Sequence, residues 1–271
     1  MKTHQNIGSA WLSTIHDVLT HGDYLASRAG GSTELIGYNF RIESPRLNFL
    51  ISEERNLKKF YAHAELLWYL SGTPSIATLR LYAPSYDRFS DDEGHTVYGA
   101  YGPRGLGAQH LETVAEILTQ DPETRQCVIP IWRPDDIFKV KAGASKDIPC
   151  TTSLKFYVRN NKLHLIVDMR SNDVWLGLPY DVFCFTAIQL IMAQTLDVEC
   201  GFYQHNVGSM HIYDRNKEAC KSAKEATSGE FDPVYLFDAD ESARDWLQND
   251  LKESCPLLKP CFDHLSGKEI M

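Results

Sequence analysis

The most apolar stretch of the chain, residues 182–196, limits its possible folds more than any other feature. The stretch contains Thr186 and Gln189 and falls short of the ~20 apolar residues that a membrane-spanning helix needs. We therefore predict a long buried helix over residues 178–196 and no membrane association. With 271 residues, of which 43% are hydrophobic, the chain is long enough to enclose this helix in one large domain over residues 1–271.

Charge and cysteine content narrow the class of protein further. The net charge of −9 and the isoelectric point near 5.6 argue against polymeric nucleic acid as a partner, because proteins that bind it usually present a basic face to phosphates. The seven cysteines are odd in number, form no CxxC pair and follow no secretory signal at Met1. We therefore expect a cytoplasmic protein in a reducing compartment.

Hydrophobic periodicity and turn residues predict a mixture of helices and strands. The predicted helices cover residues 7–19, 56–70, 110–118 and 178–196, with a polar helix from residue 214. The predicted strands cover residues 33–42, 126–132, 153–158, 162–169 and 203–213. We predict loops over residues 27–32, 82–107 and 134–148, and the second is long enough to suggest a function.

Cys150 is a candidate nucleophile. The sequence Asp-Ile-Pro-Cys-Thr-Thr over residues 147–152 presents its thiol at the start of a predicted strand, after a loop that ends in proline. Taken alone, a free cysteine is more often a small buried hydrophobe. A reactive thiolate needs nearby positive charge, and Arg170 lies on a strand predicted to pair close to Cys150. The alternative for Arg170 is a surface ion pair.

Glu65 lies on the apolar face of the predicted helix over residues 56–70, since it follows Tyr61 by four residues and precedes Trp68 by three. Burying a carboxylate is costly unless it is paired or serves as an acid or base with a raised pKa. We therefore predict that Glu65 handles protons, with a buried structural ion pair as the alternative.

As a group, these residues resemble the thymidylate synthase family, which includes the pyrimidine nucleotide hydroxymethylases. The resemblance extends from about residue 23 to residue 215 and is carried by residues 63–70, 97–99, 121–125, 149–150, 170–181 and 211–213. It implies an α+β fold in which a large mixed sheet is packed by helices and uses one face for homodimerisation. It also implies a pyrimidine nucleotide substrate, 5,10-methylenetetrahydrofolate as co-substrate, and no metal.

The resemblance further implies a role for each matching residue. Cys150 would attack C6 of the pyrimidine and make C5 a carbon nucleophile toward the one-carbon unit of the folate. Glu65 and Tyr98 would move protons through a water network. The implied nucleotide ligands are Arg28, Arg125 of the partner subunit, Arg170, Ser171, Asn172, Asp181, His211 and Tyr213, and the implied folate contacts are Tyr86, Asp173, Leu176 and Gly177. On the residues alone, His211 and Tyr213 are equally typical of a sheet surface.

Asp181 stands where thymidylate synthases carry an asparagine that reads O4 and N3–H of uracil. An ionised carboxylate can only accept hydrogen bonds, so it opposes O4 of uracil and suits the 4-amino group of cytosine, above all when N3 is protonated. We therefore expect dCMP rather than dUMP as substrate. Thr151 in place of the synthases' histidine points the same way, whereas Gln126 in place of their second paired phosphate arginine leaves the phosphate one donor short.

The expected product depends on what reaches the exocyclic methylene group after tetrahydrofolate leaves, because hydride gives a methyl group and water gives a hydroxymethyl group. Tyr86 replaces the tryptophan that synthases place beside this group, and the tail over residues 262–271 does not resemble theirs. We expect water to enter, which makes the chain similar to the deoxycytidylate hydroxymethylases of phages. These enzymes act in nucleotide biosynthesis for DNA modification, in the host cytoplasm if the gene is phage-encoded.

Several alternatives stay open on the sequence. Within the family they are a dCMP C5-methyltransferase, a thymidylate synthase acting on dUMP and a CMP hydroxymethylase, since Ser171 alone does not exclude a ribose. Outside it, the alternative is a catalytically silent nucleotide binder or an RNA-binding regulator. The presence of both Cys150 and Glu65, together with the acidic net charge, argues against that alternative.

Overall fold

The computed structural model describes residues 1–27 and 30–230, which build a seven-stranded mixed sheet, a two-stranded sheet and seven α-helices. The helices are α1 (Ile7–His21), α2 (Lys59–Ser71), α3 (Leu79–Tyr82), α4 (Ala108–Gln120), α5 (Asp136–Ala142), α6 (Leu178–Thr195) and α7 (Asp214–Ser222). The strands are β1 (Lys2–His4), β2 (Asp23–Ser27), β3 (Gly30–Ile42), β4 (Phe49–Ile51), β5 (Val128–Pro130), β6 (Thr151–Arg159), β7 (Lys162–Asp173), β8 (Glu199–Tyr213) and β9 (Thr227–Gly229).

The large sheet has the strand order β1-β3-β8-β7-β6-β5, and β2 pairs with the other half of β3. β7 and β8 run parallel, as do β1 and β3, whereas the remaining pairs are antiparallel. On β7, Leu163, Leu165 and Val167 are buried and the residues between them are half-buried. This alternation is typical of a sheet covered on one face, here by α1 and α6. The predicted α+β class, with a large mixed sheet packed by helices, is confirmed.

α6 is the central helix of the core, because every residue over 182–193 is buried. Its start follows from Pro179, whose missing N–H costs nothing in the first turn of a helix. The predicted helix over residues 178–196 is therefore confirmed to within one residue. Across residues 1–27 and 30–230, no helix has the length and apolar character needed to cross a membrane.

The alternation of buried and exposed side chains on β7 and β8 changes near the edge that carries the candidate site residues. Buried side chains occupy odd positions of β7 up to Met169, and even positions face the half-exposed side. Asn172 breaks this pattern, because it is even-numbered and buried, while the pairing with β8 continues. Beside this change, a Cβ atom on Gly208 would lie only 2.7 Å from the carbonyl oxygen of Arg170. Glycine is therefore needed on β8 where its backbone closely approaches β7.

Several predicted boundaries are wrong. Residue 27 and residues 30–32 lie in strands rather than in the predicted loop, because the antiparallel pairing of β2 with β3 extends to the Ser27–Gly30 pair, while residues 28 and 29 lie outside the described residues. α2 begins at Lys59 rather than residue 56, because Asn56 has a φ of 42°, in the left-handed region. The predicted loop over residues 82–107 contains two short 3₁₀ turns, Pro84–Phe89 and Gly102–Arg104.

The predicted loop over residues 134–148 is also wrong in part, because it contains α5. This helix starts at Asp136, which is fully buried and forms a bidentate ion pair with Arg104, at 2.7 and 2.9 Å. A long-range ion pair of this kind leaves no periodic signal in the local sequence. The same holds for β1, β4 and β9, which are three residues long and were not predicted.

Gln189 connects α6 to the sheet. Its Nε2 donates to the carbonyl oxygens of Leu163, Gly201 and Phe202, at 2.8, 3.3 and 3.1 Å. These carbonyls lie where the register between β7 and β8 shifts, between Leu163 and Leu165. The buried amide thus satisfies acceptors that the irregular ladder leaves without strand partners.

Substitution of Gln189 by leucine should lower the free energy of unfolding by about 1–3 kcal/mol, the usual cost of a buried polar group without a partner. Urea denaturation measures this change. Met192→Leu, three residues further along α6, conserves volume and removes no hydrogen bond, so it should stay close to the wild type. Equal unfolding midpoints for Gln189→Leu and the wild type would contradict the role assigned to the amide.

Candidate active site

Most of the predicted site residues meet at one edge of the large sheet. β7 and β8 run parallel, so their carboxyl ends, with residues 170–173 and 209–213, lie side by side. Cys150 directly precedes β6, and its carbonyl oxygen accepts a hydrogen bond from the backbone N–H of Arg170 at 2.8 Å. Asp181 lies in the first turn of α6. The edge therefore gathers a thiol, a guanidinium group and several carboxylates.

Arg170 holds the loop that carries Cys150. Its Nε donates to the carbonyl oxygen of Pro149 at 3.0 Å, and its Nη2 donates to that of Ile148 at 2.9 Å. The same Nη2 lies 3.6 Å from Cys150 Sγ. Within the described residues Nη1 makes no hydrogen bond, so Arg170 keeps donors for an anion. This geometry supports the predicted pairing of arginine and thiol over a surface ion pair.

The Cys150 thiol is protonated at neutral pH in this arrangement. Its pKa is raised to about 11, chiefly by burial and in addition by the charges of Asp181 and Asp147, against the opposing effect of the Arg170 guanidinium. Addition of this sulfur to a ring carbon therefore requires a group that accepts its proton.

Glu65 is a buried carboxylate without a cation. Only 7% of the residue is exposed, and its Oε1 accepts a hydrogen bond from the Tyr61 hydroxyl at 2.8 Å. Its Oε2 lies 4.0 Å from the Cys184 thiol. Burial, followed by the charge of Asp181, raises the pKa of Glu65 to about 8. No ion pair to Glu65 forms among residues 1–27 and 30–230, which favours the acid–base prediction over a structural ion pair.

Further tyrosines lie around Glu65 and Cys150; Tyr86 was predicted from the sequence as a folate contact, whereas Tyr69 and Tyr101 were not identified. Tyr101 accepts a hydrogen bond from the backbone N–H of Thr151 at 3.2 Å, and its ring lies 5.1 Å from that of Tyr69. Burial and the charge of Glu65 raise the pKa of both Tyr69 and Tyr86 well above the ordinary value. These phenols therefore stay protonated and can donate hydrogen bonds.

Asp181 is held by Asn172. Its Oδ2 accepts a hydrogen bond from Asn172 Nδ2 at 2.7 Å, and its Oδ1 makes no hydrogen bond within the described part of the chain. A Cβ atom on Gly177 would lie 3.0 Å from that Nδ2, so glycine leaves room for the contact. Burial raises the pKa of Asp181 to about 7, the Asn172 hydrogen bond opposes this, and Asp173 adds to it. Asn172 was predicted to bind the nucleotide, and it contacts Asp181, another residue that was predicted to bind it.

Asp173 has one carboxylate oxygen that is bound by backbone groups and one that has no partner among the described residues. Its Oδ1 accepts hydrogen bonds from the backbone N–H groups of Trp175 and Leu176, at 2.8 and 3.0 Å. Its Oδ2 is buried and has no hydrogen-bond partner among the described residues. An orphaned acceptor of this kind fits a ligand that donates N–H groups. The adjacent Leu176 and Gly177, also predicted folate contacts, lie next to it on the turn into α6.

Tyr98 does not contact Glu65. Its hydroxyl donates to Asp136 at 2.7 Å, beside the buried ion pair of Asp136 with Arg104, and the Glu65 carboxylate has Tyr61 and Cys184 as neighbours. No direct contact between Tyr98 and Glu65 therefore supports the predicted place of Tyr98 in the water network. Sequence reasoning missed this cluster because Asp136 lies in a segment predicted to be a loop.

Three of the other predicted nucleotide-binding residues, Ser171, His211 and Tyr213, lie close together. His211 Nδ1 lies 3.5 Å from the Ser171 hydroxyl, and the His211 ring packs edge-on against Tyr213, with 4.9 Å between ring centroids. Arg125 is exposed, as expected for a residue offered to a second subunit. Arg28 lies outside the described residues, as does the tail over residues 262–271. Among residues 1–27 and 30–230, no group of His, Cys, Asp or Glu side chains is placed to hold a metal ion.

The fold and this edge of the sheet define a class: a two-layer α+β enzyme with a thiol, an arginine, a buried carboxylate and a half-buried carboxylate at one site. A sequence model of the thymidylate synthase family matches residues 9–252, and the chain belongs to that family. Its members are one-carbon transferases that bind a nucleoside monophosphate, use 5,10-methylenetetrahydrofolate as co-substrate and form homodimers.

A solved structure agrees with this assignment at the level of the fold. The thermostable thymidylate synthase A from Bacillus subtilis superposes with a TM-score of 0.70. The match covers 83% of this chain and 87% of that one, at 23% sequence identity. The architecture is thus shared, while the side chains that choose a substrate are free to differ.

The raised pKa of Glu65 predicts a pH-dependent stability. The folded state keeps a proton that the unfolded chain has released, so this group's contribution to stability falls as pH rises from about 5 to about 8. Glu65→Gln removes the effect. The wild type should therefore lose about 1 kcal/mol of unfolding free energy per pH unit relative to Glu65→Gln in this window. Denaturant titrations at pH 5, 6, 7 and 8 measure the difference.

The matched control is Glu116→Gln, an exposed position on α4. It should track the wild type at every pH. A constant difference between the wild type and Glu65→Gln across the series would contradict the assignment of Glu65 as a carboxylate with a raised pKa.

Proposed function

We propose that this enzyme is a deoxycytidylate 5-hydroxymethylase, which converts dCMP, 5,10-methylenetetrahydrofolate and water into 5-hydroxymethyl-dCMP and tetrahydrofolate. The observation that carries the proposal is the carboxylate of Asp181, at the position where the family reads the base, with one oxygen held by Asn172 and the other left to accept. The whole chain, residues 1–271, forms the catalytic domain.

The charge state of Asp181 matches cytosine in either protonation state. An ionised Asp181 accepts from the 4-amino group and from a protonated N3, and a protonated Asp181 donates to N3 while accepting from the 4-amino group. Because burial raises its pKa to about 7, the proton can pass between Asp181 and N3 at little cost. Uracil offers O4 and N3–H instead, so an ionised Asp181 places one of its acceptors against O4.

The residues of this chain supply the nucleophile, the arginine that holds its loop, and the group that transfers protons. The Cys150 thiol gives its proton to water as its sulfur adds to C6, while Arg170 fixes the loop that presents it. C5 then bonds to the methylene carbon that the folate supplies. Glu65 in its ionised form takes the C5 proton through water, and the bond from the methylene carbon to the folate nitrogen breaks, so that tetrahydrofolate leaves with that proton. A water molecule adds its hydroxyl to the exocyclic methylene group, and a proton returns to the sulfur as it leaves C6, so that 5-hydroxymethyl-dCMP and tetrahydrofolate account for all the atoms of the substrates.

The polar lining of the pocket supports water over hydride. Tyr86 packs edge-on against Trp68 and Phe89, at 5.7 and 5.2 Å between ring centroids, in the segment where synthases carry the tryptophan that shields the methylene group. Its neighbours around Glu65 include Tyr61 and Tyr69, which also carry hydroxyl groups. Such a lining stabilises an ordered water molecule better than an indole ring does.

The proposal also covers the residues that bind the phosphate and the sugar, and the surface that binds the partner subunit. Arg170 and Ser171 bind the phosphate, with Arg125 of the partner subunit and Arg28, and His211 and Tyr213 bind the sugar. The chain forms a homodimer through the half-exposed face of the large sheet, as members of its family do. The half-buried polar residues of that face are Ser153, Lys155, Asp168, Gln204 and Asn206.

The product assay decides between the proposed activity and its relatives. With dCMP and 5,10-methylenetetrahydrofolate, mass spectrometry should show a hydroxymethyl group on the base and tetrahydrofolate as the second product. Cys150→Ser should abolish turnover, whereas Cys200→Ser, at a half-buried thiol at the other end of β8, should leave it intact. A methyl group together with dihydrofolate would identify a dCMP methyltransferase and contradict the proposal.

Base selectivity tests the role of Asp181. Asp181→Asn should shift the ratio of kcat/KM for dCMP over dUMP toward dUMP by about 100-fold, because each mispaired buried polar group costs about 1–3 kcal/mol. The matched control is Asp197→Asn, just beyond the other end of α6, where a φ of 53° suits asparagine. An unchanged ratio in Asp181→Asn, or a wild type that prefers dUMP, would overturn this account of base reading.

A further inference from the structure

A buried chain of hydrogen bonds leads from Asp181 into the core. Asn172 donates to Asp181 at 2.7 Å, and its Oδ1 lies 3.0 Å from His205 Nε2. The other ring nitrogen of His205, Nδ1, lies 2.6 Å from the Tyr203 hydroxyl. Asn172, His205 and Tyr203 are 4%, 0% and 0% exposed, so bulk water does not compete for these contacts. The chain ends at Tyr203, whose hydroxyl makes no further hydrogen bond within the described residues.

The charge and tautomer of His205 follow from its surroundings. Burial lowers its pKa to about 3, so the ring is neutral and one nitrogen donates while the other accepts. With the proton on Nε2, His205 donates to Asn172 Oδ1 and accepts from the Tyr203 hydroxyl. With the proton on Nδ1, the Tyr203 hydroxyl would have to accept, and its own hydrogen would have no partner.

The second arrangement also reverses every contact along the chain. Asn172 would turn its Nδ2 toward His205 and its Oδ1 toward Asp181, where two acceptors would face each other unless Asp181 were protonated. A buried donor or acceptor without a partner is costly, so the first arrangement is favoured at both ends. The Tyr203 hydroxyl, at the buried end of this series of hydrogen bonds, thus sets which group donates and which accepts in each of them.

We propose that Tyr203 and His205 are positioning residues for base selection: they fix the Asn172 amide so that it donates to Asp181 and keeps that carboxylate an acceptor for cytosine. This inference rests on the proposed function, since it explains how Asp181, the residue that reads the base, stays a hydrogen-bond acceptor. Neither residue touches the base, and both act through Asn172.

The geometry of the sheet makes this chain possible. If the alternation of β7 continued unchanged, Asn172 would lie on the half-exposed side with Asp168, away from the buried side chains of Tyr203 and His205. The alternation changes where Gly208 closely approaches Arg170, so Asn172 is buried and its amide lies at His205. Gly177, which has no side chain, leaves room for the contact between Asn172 and Asp181. Two glycines on different elements therefore permit a contact that joins β8, β7 and α6.

The test measures kcat/KM for dCMP and dUMP in the wild type and in matched variants. Tyr203→Phe removes one oxygen and releases the tautomer of His205, so the preference for dCMP should fall about tenfold, the effect of one lost hydrogen bond. The control is Tyr38→Phe, which removes a half-buried hydroxyl that donates to Asp17 at 2.8 Å, away from the site. It should leave the ratio unchanged.

A second pair of variants covers the case in which Tyr203→Phe does not fold. His205→Gln retains an amide N–H for Asn172 Oδ1, whereas His205→Leu retains no polar group. His205→Gln should therefore keep more of the dCMP preference than His205→Leu, a rescue that a purely structural role would not produce.

Two contrary outcomes are distinguishable. A wild type that prefers dCMP, with the same preference in Tyr203→Phe and in both His205 variants, would overturn the positioning role alone. A wild type that does not prefer dCMP would overturn the proposed function and, with it, this inference.

Discussion

The change in side-chain alternation on β7, beside the close approach of Gly208 to Arg170, is the constraint on which the site depends. It gives two residues of one short segment opposite environments: Arg170 stays exposed beside the thiol, and Asn172 is buried beside Asp181. A cation is thereby kept where water and anions reach it, which avoids the large cost of burying it. A neutral amide is placed in the interior, where its hydrogen bonds have strict directions.

The two central carboxylates of the site, Glu65 and Asp181, have different neighbours. Burial raises the pKa of both, to about 8 for Glu65 and about 7 for Asp181. Each accepts a hydrogen bond that favours its charged form, from the Tyr61 hydroxyl to Glu65 and from the Asn172 amide to Asp181, and Glu65 also faces the charge of Asp181. Different surroundings of neighbouring carboxylates are a common way to divide proton transfer from ligand recognition. The cost appears as lost stability at high pH, which is typical of functional sites.

The sequence predicted those parts of the structure that leave a local or isolated signal. α6 was predicted to within one residue because its apolar run is long and unbroken, and Glu65 stood out because a charge interrupts an apolar face. The three-residue strands and α5 depend on distant partners, such as the Arg104–Asp136 ion pair, and were missed. Tyr203 and His205 were missed for the same reason, since in an alternating strand they resemble ordinary inward-facing residues.

Base selection at such a site depends on more than one residue. A carboxylic acid that is buried and protonated has one donor and one acceptor, as an amide has, so an aspartate at the base-reading position does not by itself exclude uracil. Exclusion requires that the carboxylate keep its charge against the tendency of burial to protonate it. Asn172 provides that bias only while its Nδ2 faces Asp181, and this orientation depends on hydrogen bonds deeper in the core. An asparagine-to-aspartate exchange in a relative without these partners should therefore broaden selectivity rather than reverse it.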